Sequence, residues 1–147
     1  MHKLAKHMRI EVSIYSDRFQ AEAKRAGAGL IGKTPRGSLL LAGGETTVRV
    51  TEKGAGGRNL EVVLGALDSI DNKTIIASFD SDGWDNCQFA GAIGDANTIT
   101  KARSLNLDPK VFLNRNDSMN FFKEVGEGIE TGRLASNVSD LMIVYAP

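Results

Sequence analysis

Hydrophobic residues recur along this chain with two periods, and the alternation between these periods predicts the order of its elements. Leu4 and Met8 lie one helical turn apart, which predicts a helix over residues 2–8. Residues 9–15 alternate between polar and apolar side chains, which predicts a strand. Ser16 is a suitable N-cap for residues 17–26, a segment of helix formers with an acidic residue in its first turn. We expect this second helix to end at Gly27 and Gly29.

The rest of the chain continues the alternation of strands and helices. Residues 38–42 and 74–78 are apolar runs that predict buried strands, and the alternating residues 46–51 predict a half-exposed strand. Further helices are predicted at 59–67, about 96–105 and 117–125, the last capped by Asp117 or Ser118, before a closing strand at 141–145. This order favours an α/β fold: a single domain with a mixed β-sheet flanked by helices.

Composition excludes several classes of function. The 147 residues suit one domain, and 18 basic residues balance 18 acidic ones, which argues against a nucleic-acid partner. No apolar run is long enough for a membrane span or a secretory signal, so a cytoplasmic protein with no membrane partner is expected. Cys87, His2 and His7 lack the neighbours of a nucleophile or a zinc site.

Residues 27–34, GAGLIGKT, match the phosphate-binding pattern G-x-x-x-x-G-K-[ST]. A working P-loop needs a strand before its glycines and a helix beginning at the Lys-Thr pair. Here a helix is predicted before the motif, Pro35 removes an amide, and a strand is predicted from Ser38. The overlapping G-x-G-x-x-G fails for the same reason. We interpret the segment as a helix end followed by a turn.

Four other stretches place Gly, Asn, Asp and Arg at the ends of predicted strands, where an open α/β sheet builds its ligand crevice. They are GGETTV (43–48), GAGGRN (54–59), SDGWDN (81–86) and SNVSDL (136–141). In the first, the amides of Gly43 and Gly44 can face a ligand, and Glu45 and Thr46 can bind a metal ion or hydroxyl groups. A turn between two strands explains the same residues equally well.

In the second stretch, the amides of the glycine loop, a helix N-terminus and Arg58 can converge on one anion. The alternative is an exposed arginine on a flexible loop. In the third stretch, Asp82 and Asp85 follow a buried strand and suit a magnesium ion or a substrate hydroxyl, unless the loop is only an acidic surface turn. In the fourth, Asn137 and Asp140 can orient neighbouring loops.

Taken in order, GGETTV, GAGGRN, SDGWDN followed by AGAI, NDSMNFF, and TG followed by SNVSDL resemble the C-terminal MOFRL domain of class II glycerate 2-kinases, the hydroxypyruvate reductase family. The resemblance covers nearly the whole chain and implies ATP-dependent phosphorylation of glycerate, a small hydroxy acid, with magnesium. Family enzymes carry a larger N-terminal Rossmann-like half that this sequence lacks. The isolated domain is therefore expected to be incomplete as an enzyme.

The resemblance also implies roles for individual residues. Arg58 matches the family's catalytic arginine, Asp82 is a second catalytic candidate, and Asp82 and Asp85 are the possible magnesium ligands. Substrate or phosphate binding is implied for the remaining motif positions, which are Gly43, Gly44, Glu45, Thr46, Gly56, Gly57, Asn59, Asp85 and Asn137.

Two departures separate this chain from the pattern of its relatives. After the aspartate loop, many relatives continue with Gly-Pro-Thr-Asp, whereas this chain has residues 86–89, NCQF. Residues 131–138, TGRLASNV, replace a Gly-Thr loop. Three hypotheses remain: half of a kinase that needs a separate N-terminal half, a non-catalytic anion-binding or small-molecule-binding module that can form a homodimer, or an inert remnant with no partner.

Overall fold

The computed structural model describes residues 1–147, which form one six-stranded sheet with helices packed on it. The strands are β1 (Glu11–Phe19), β2 (Ser38–Gly44), β3 (Ile75–Asp80), β4 (Gly91–Gly94), β5 (Gly128–Ile129) and β6 (Asp140–Ala146). The helices are α1 (His2–His7), α2 (Ala23–Ile31), α3 (Arg58–Ala66), α4 (Ala96–Ser104), α5 (Pro109–Asn114) and α6 (Ser118–Val125). None of the helices has the length and hydrophobicity of a membrane span.

The strand order across the sheet is β1-β2-β6-β3-β4-β5. Strands β1 and β2 run parallel, and every other neighbouring pair is antiparallel. The predicted α/β domain with a mixed sheet is therefore confirmed. This order brings the end of β2, the end of β3 and the start of β6 together, since Gly44 and Asp80 both pair with Asp140.

The hydrophobic core lies between the sheet and helices α2, α3 and α6. Leu60, Val62 and Val63 of α3 and Phe121 of α6 are completely buried. Helices α2 and α3 cross closely because each contributes a glycine at the contact. A Cβ on Gly27 would overlap the Val62 carbonyl oxygen, and one on Gly65 would overlap the Lys24 backbone.

The prediction that a helix spans residues 17–26 and ends at Gly27 and Gly29 was wrong at both ends. Strand β1 continues through Ser16 to Phe19, so Ser16 is not an N-cap, and α2 begins only at Ala23. The helix then runs through both glycines, because packing against α3 outweighs the low helix propensity of glycine. The structure agrees with our rejection of a P-loop at residues 27–34, because α2 precedes the Lys-Thr pair and β2 comes after it.

Other predictions were wrong in detail. Residues 46–51 do not form a strand: Thr47 makes an isolated bridge with Glu22, and Thr51 is held by Asn116. The short elements β4, β5 and α5 were not predicted. Helix α6 does begin after Asp117, but that carboxylate accepts hydrogen bonds from Ala55 N and Asn120 Nδ2.

Candidate functional site

A cleft of about 650 Å³ opens where the ends of β2 and β3 meet the first turn of α3. Its walls come from three stretches that are distant in sequence: the segment after β2 with the glycine loop and the first turn of α3, the turn after β3, and the N-terminus of α6. The lining side chains that carry charge are Glu52, Lys53, Arg58, Glu61, Asp80 and Asp85. The sheet topology therefore brings the predicted motifs to one place.

Arg58 is the centre of the charged cluster in this cleft. It is the first residue of α3, after the N-cap Gly57, and its side chain is 31% exposed. Its Nε lies 2.6 Å from Asp140 Oδ2, and its Nη2 lies 3.2 Å from Glu45 Oε1 and 3.3 Å from Asp80 Oδ2. Three carboxylates from three segments therefore hold one guanidinium in place.

These carboxylates also determine the electrostatics of Arg58. Burial alone would lower the pKa of Arg58, but the hydrogen bond from Arg58 to Asp140 and the charges of Asp140, Glu45 and Asp80 raise it. Asp140 is fully buried, so removing Arg58 would leave an uncompensated carboxylate in the core. The guanidinium is a permanent cation at the cleft wall.

Asn59 lies beneath the cleft and is fully buried. Its Nδ2 lies 3.0 Å from Asp140 Oδ1 and 3.3 Å from Asp85 Oδ1, and its Oδ1 accepts a 2.5 Å hydrogen bond from Ser78 Oγ. The amide thus cross-links α3, β3 and β6. This geometry suits a residue that positions carboxylates rather than one that contacts a ligand.

Asp85 faces the cleft from the turn after β3, and it is 4% exposed. Burial raises its pKa to about 6, although hydrogen bonds from the Leu60 amide and from Asn59 lower it. The Leu60 N to Asp85 Oδ2 distance is 2.9 Å. The carboxylate therefore holds the first turn of α3 at the wall of the cleft.

Glu61 is a cleft residue that the sequence motifs did not indicate. It lies three positions after Arg58 on α3, so both side chains face the same side of the helix. Glu61 is 4% exposed and forms no ion pair, and burial raises its pKa to about 7, although the Asn116 side chain lowers it. The i, i+3 spacing from Arg58 was the signal available in the sequence.

Thr46 supplies an unsatisfied group to the cleft. It is 3% exposed, and its Oγ1 is buried without a hydrogen-bond partner. Buried hydroxyls in folded proteins are almost always paired, because an unpaired one costs roughly 1–3 kcal/mol. A ligand oxygen or nitrogen in the cleft would satisfy this hydroxyl.

The glycine loop is pressed against its neighbours at Gly56 and Gly57. A Cβ on Gly56, whose φ is +153°, would overlap Ser118 Oγ, and a Cβ on Gly57 would overlap the Asp85 carbonyl oxygen. The amides of Gly56 and Gly57 donate no hydrogen bond within the protein. The loop thus carries two free N–H donors beside Arg58.

The remaining predicted residues lie at different distances from this cluster. Gly43 and Gly44 end β2, and a Cβ on Gly44 would overlap the Phe19 backbone. Asp82 Oδ1 accepts a 2.8 Å hydrogen bond from Trp84 N, whereas Asp80, the last residue of β3, is the carboxylate that reaches Arg58. Asn137 lines a separate hollow beside Glu45.

Comparison with known proteins gives the same result as the pattern of motifs. The MOFRL family model matches residues 38–140. The chain belongs to the MOFRL family. It is 39% identical to a D-glycerate 2-kinase of Thermotoga maritima over 72% of this chain and 26% of that protein. A glycerate kinase of Danio rerio is 34% identical over 80% of this chain and 26% of its own length.

A crystal structure of glycerate kinase from Thermotoga maritima superimposes with a TM-score of 0.92 at 32% sequence identity, over 99% of this chain and 38% of that one. The chain therefore spans about a quarter to two fifths of the length of these relatives. It matches their MOFRL portion, as the motif resemblance implies.

Proposed function

We propose that this chain supplies one wall of a phosphoryl-transfer site, as the MOFRL half of an ATP-dependent kinase that acts on glycerate or a similar small hydroxy acid. The observation that carries the proposal is the position of Arg58. A guanidinium, two glycines whose amides donate no hydrogen bond within the protein, and the N-terminus of α3 line the same part of the cleft. Positioned cations and amides are the groups that stabilise a transferring phosphoryl group.

The contacts of the other cleft residues indicate their roles. Thr46 Oγ1 would hydrogen-bond the substrate, since it has no partner in the protein. Asp85 and Glu61 would accept hydrogen bonds from substrate hydroxyls, because both carboxylates face the cleft and neither forms an ion pair. Asp82 would act indirectly, by stabilising the turn that carries Trp84 and Asp85. Glu45 would also act indirectly, by holding the Arg58 guanidinium in place.

The charge balance of the cleft indicates that this half does not complete the site alone. The lining contains four carboxylates and two cations, and Asp140 and Glu45 add negative charge behind Arg58. These negative charges would weaken phosphate binding by this chain alone, and further positive charge from outside would strengthen it. A separate N-terminal half that supplies a lysine would provide it.

Magnesium is part of this proposal only as an ion that arrives with the nucleotide. The chain contains no group of three or more residues that could hold a metal ion, and Asp82 and Asp85 both accept backbone hydrogen bonds. These residues do not fit a resident metal site. The nucleotide phosphates would supply most of the ligands for Mg²⁺.

The alternative is a binding module without turnover. It is favoured by the pairing of Arg58 with three carboxylates of this same chain, which needs no second half to be stable. Such a module would bind an anion at the glycine amides but would form no product. The two hypotheses therefore differ in what is expected when an N-terminal half of a related kinase is added.

The test is ATP-dependent phosphorylation of D-glycerate by this chain, alone and mixed with the N-terminal half of a related kinase. Arg58→Ala is the test variant. Arg103→Ala, an exposed arginine of α4 without an ion pair, is the matched control. We expect product only in the mixture, a loss of at least about 100-fold with Arg58→Ala, and no change with Arg103→Ala. A stable mixed complex that forms no product would reject the kinase hypothesis.

A further inference from the structure

The cleft with Arg58 contains one aromatic side chain, Trp84, on the turn after β3. Trp84 is the single tryptophan of the chain, and it is 37% exposed. The other lining residues are polar, charged or glycine, apart from Val48 and Val50. Phosphate and hydroxyl groups are bound by charges and hydrogen-bond donors, whereas an aromatic ring binds planar or apolar groups. The indole therefore suits a different part of the ligand from Arg58.

The turn that carries Trp84 is held by the loop between β5 and β6. A Cβ on Gly83, whose φ is +83°, would overlap the carbonyl oxygen of Gly132, so the two loops are in close contact. Leu134 N donates a 2.7 Å hydrogen bond to the carbonyl oxygen of Asp82. Within the turn, Trp84 N donates a 2.8 Å hydrogen bond to Asp82 Oδ1. The backbone position of the tryptophan is therefore fixed.

The indole ring is held as well, by Arg133 of the same loop. The guanidinium carbon of Arg133 lies over the Trp84 ring, 4.5 Å from its centre, which is the distance of a cation–π contact. Trp84 lines the cleft and Arg133 does not. The part of the indole that the guanidinium leaves uncovered therefore borders the cleft.

The size of the cleft indicates a ligand larger than a three-carbon acid. Its volume is about 650 Å³, and pockets of about 300–1,000 Å³ accommodate ligands of drug size. Trp84 immediately precedes Asp85, whose carbonyl oxygen a Cβ on Gly57 would overlap, so the indole and the glycine loop are neighbours along the cleft wall. A nucleotide likewise carries a planar base close to its phosphate groups.

We propose that Trp84, backed by Arg133, is the surface on which the adenine base of the nucleotide stacks. Stacking on aromatic side chains is a general way in which proteins bind a base, because every base has a π-face. The inference rests on the proposed function, since it takes the phosphate groups of the same nucleotide to lie beside Arg58.

The fluorescence of the chain tests this proposal, because all of its tryptophan signal comes from Trp84. The full chain would be titrated, with Mg²⁺ present, with a non-hydrolysable ATP analogue and separately with tripolyphosphate, which has no base. N-acetyltryptophanamide in the same solutions corrects for absorption and collisional quenching. We expect saturable quenching by the ATP analogue and none by tripolyphosphate.

Calorimetry on variants then measures what the ring contributes to affinity. We expect Trp84→Leu to lower the affinity for the ATP analogue at least about tenfold and that for tripolyphosphate less than about twofold. Trp84→Phe should retain most of the affinity, since it keeps an aromatic face. Arg133→Ala should weaken only the binding of the ATP analogue, and Arg103→Ala, the matched control, should change neither ligand. Circular dichroism establishes that each variant folds.

The two ligands distinguish stacking of the base from other roles of this pair. Equal losses of affinity for both ligands in Trp84→Leu would overturn the proposal, since the ring would then only support the cleft. Loss of tripolyphosphate affinity in Arg133→Ala would overturn it too, because Arg133 would then bind phosphate. Tripolyphosphate binding that depends on Arg58, without quenching by the ATP analogue, would overturn the stacking and leave the proposed function intact. Binding of neither ligand would overturn both.

Discussion

Two glycine-rich segments of this chain, residues 27–34 and 54–59, show how little a short motif says without its context. The first matches the P-loop pattern, yet residues 27–31 lie inside helix α2, and Gly27 permits the close crossing with α3. The second matches no P-loop, yet it ends at the N-terminus of α3 and carries Arg58 into the cleft.

The difference between the segments lies in the element that comes after the glycines. Residues 35–37 turn directly into β2, so no helix N-terminus is available to Lys33 and Thr34. Gly57 instead precedes a nine-residue helix, whose positive N-terminus lies at the cleft wall, where Asp85 accepts a hydrogen bond from the Leu60 amide. The glycines of the two segments also have different surroundings, so alanine substitutions distinguish their roles.

The largest effects are expected for Gly27→Ala and Gly57→Ala. Each added Cβ would overlap backbone atoms, of Val62 and Asp85 respectively, so we expect each variant to lose about 3 kcal/mol of unfolding free energy in urea titrations. Only Gly57→Ala should also change the fluorescence of the single tryptophan, Trp84, which adjoins Asp85. Equal fluorescence changes in both folded variants would contradict this separation of roles.

The next largest effect on the free energy of unfolding is expected for Glu61→Gln, and it should depend on pH. Because the folded pKa of Glu61 is raised to about 7, its protonated form is stabilised by folding, and that contribution is lost as the pH rises from about 4.5 through 7. The variant should match wild type near pH 4.5 and exceed its stability by up to about 3 kcal/mol at pH 8. Unfolding titrations across this range measure the difference.

The control for Glu61→Gln is Glu124→Gln, an exposed glutamate of α6. Its stability should stay close to that of wild type, because the side chain is exposed. A stability difference for Glu61→Gln that does not change between about pH 4.5 and 8 would show that Glu61 does not titrate in this range.

Gly29→Ala should have the opposite sign from Gly27→Ala, although both glycines belong to the same motif. A Cβ on Gly29 meets nothing within 4 Å, and the residue lies within α2. We expect a gain of about 0.5–1 kcal/mol, because alanine loses less backbone entropy in a helix. Thermal unfolding should show a higher melting temperature, and destabilisation would mean that this helix face is covered.

Lys33→Ala should give the smallest effect. The Lys33 ammonium lies 5.3 Å from the centre of the Tyr15 ring, a contact worth about 0.5–1 kcal/mol at an exposed site. We expect a stability loss of that size and unchanged affinity for a nucleotide by calorimetry. Lost nucleotide affinity would restore the P-loop interpretation.

Much of the fold could be predicted from hydrophobic periodicity, because the buried strands β2, β3 and β6 are strongly apolar and the glycine loop marks the start of α3. The boundary between β1 and α2 could not be predicted in this way. Residues 17–19 have helix-forming character, but pairing with β2 extends the strand through them. Strand β5 has only two residues, too few for any period to be visible.

The sequence motifs predicted which segments form the candidate site, but they did not predict the contacts between its side chains. Arg58, Thr46 and Asp85 were identified from loop positions at strand ends, and the structure brings them to one cleft. The choice of Asp80 rather than Asp82 as the partner of Arg58 depends on the turn after β3 and on the register with β6. Neither is encoded in the spacing of the aspartates.

The most direct test of the central claim is to map where an anion binds to this chain by amide NMR. The ¹⁵N-labelled chain would be titrated with D-glycerate and with a non-hydrolysable ATP analogue with magnesium. We expect shifts at Thr46, Gly56, Gly57 and Arg58, and none at residues 32–34. Shifts confined to residues 32–34, or no saturable shift in the cleft, would contradict the assignment of the cleft as the anion site.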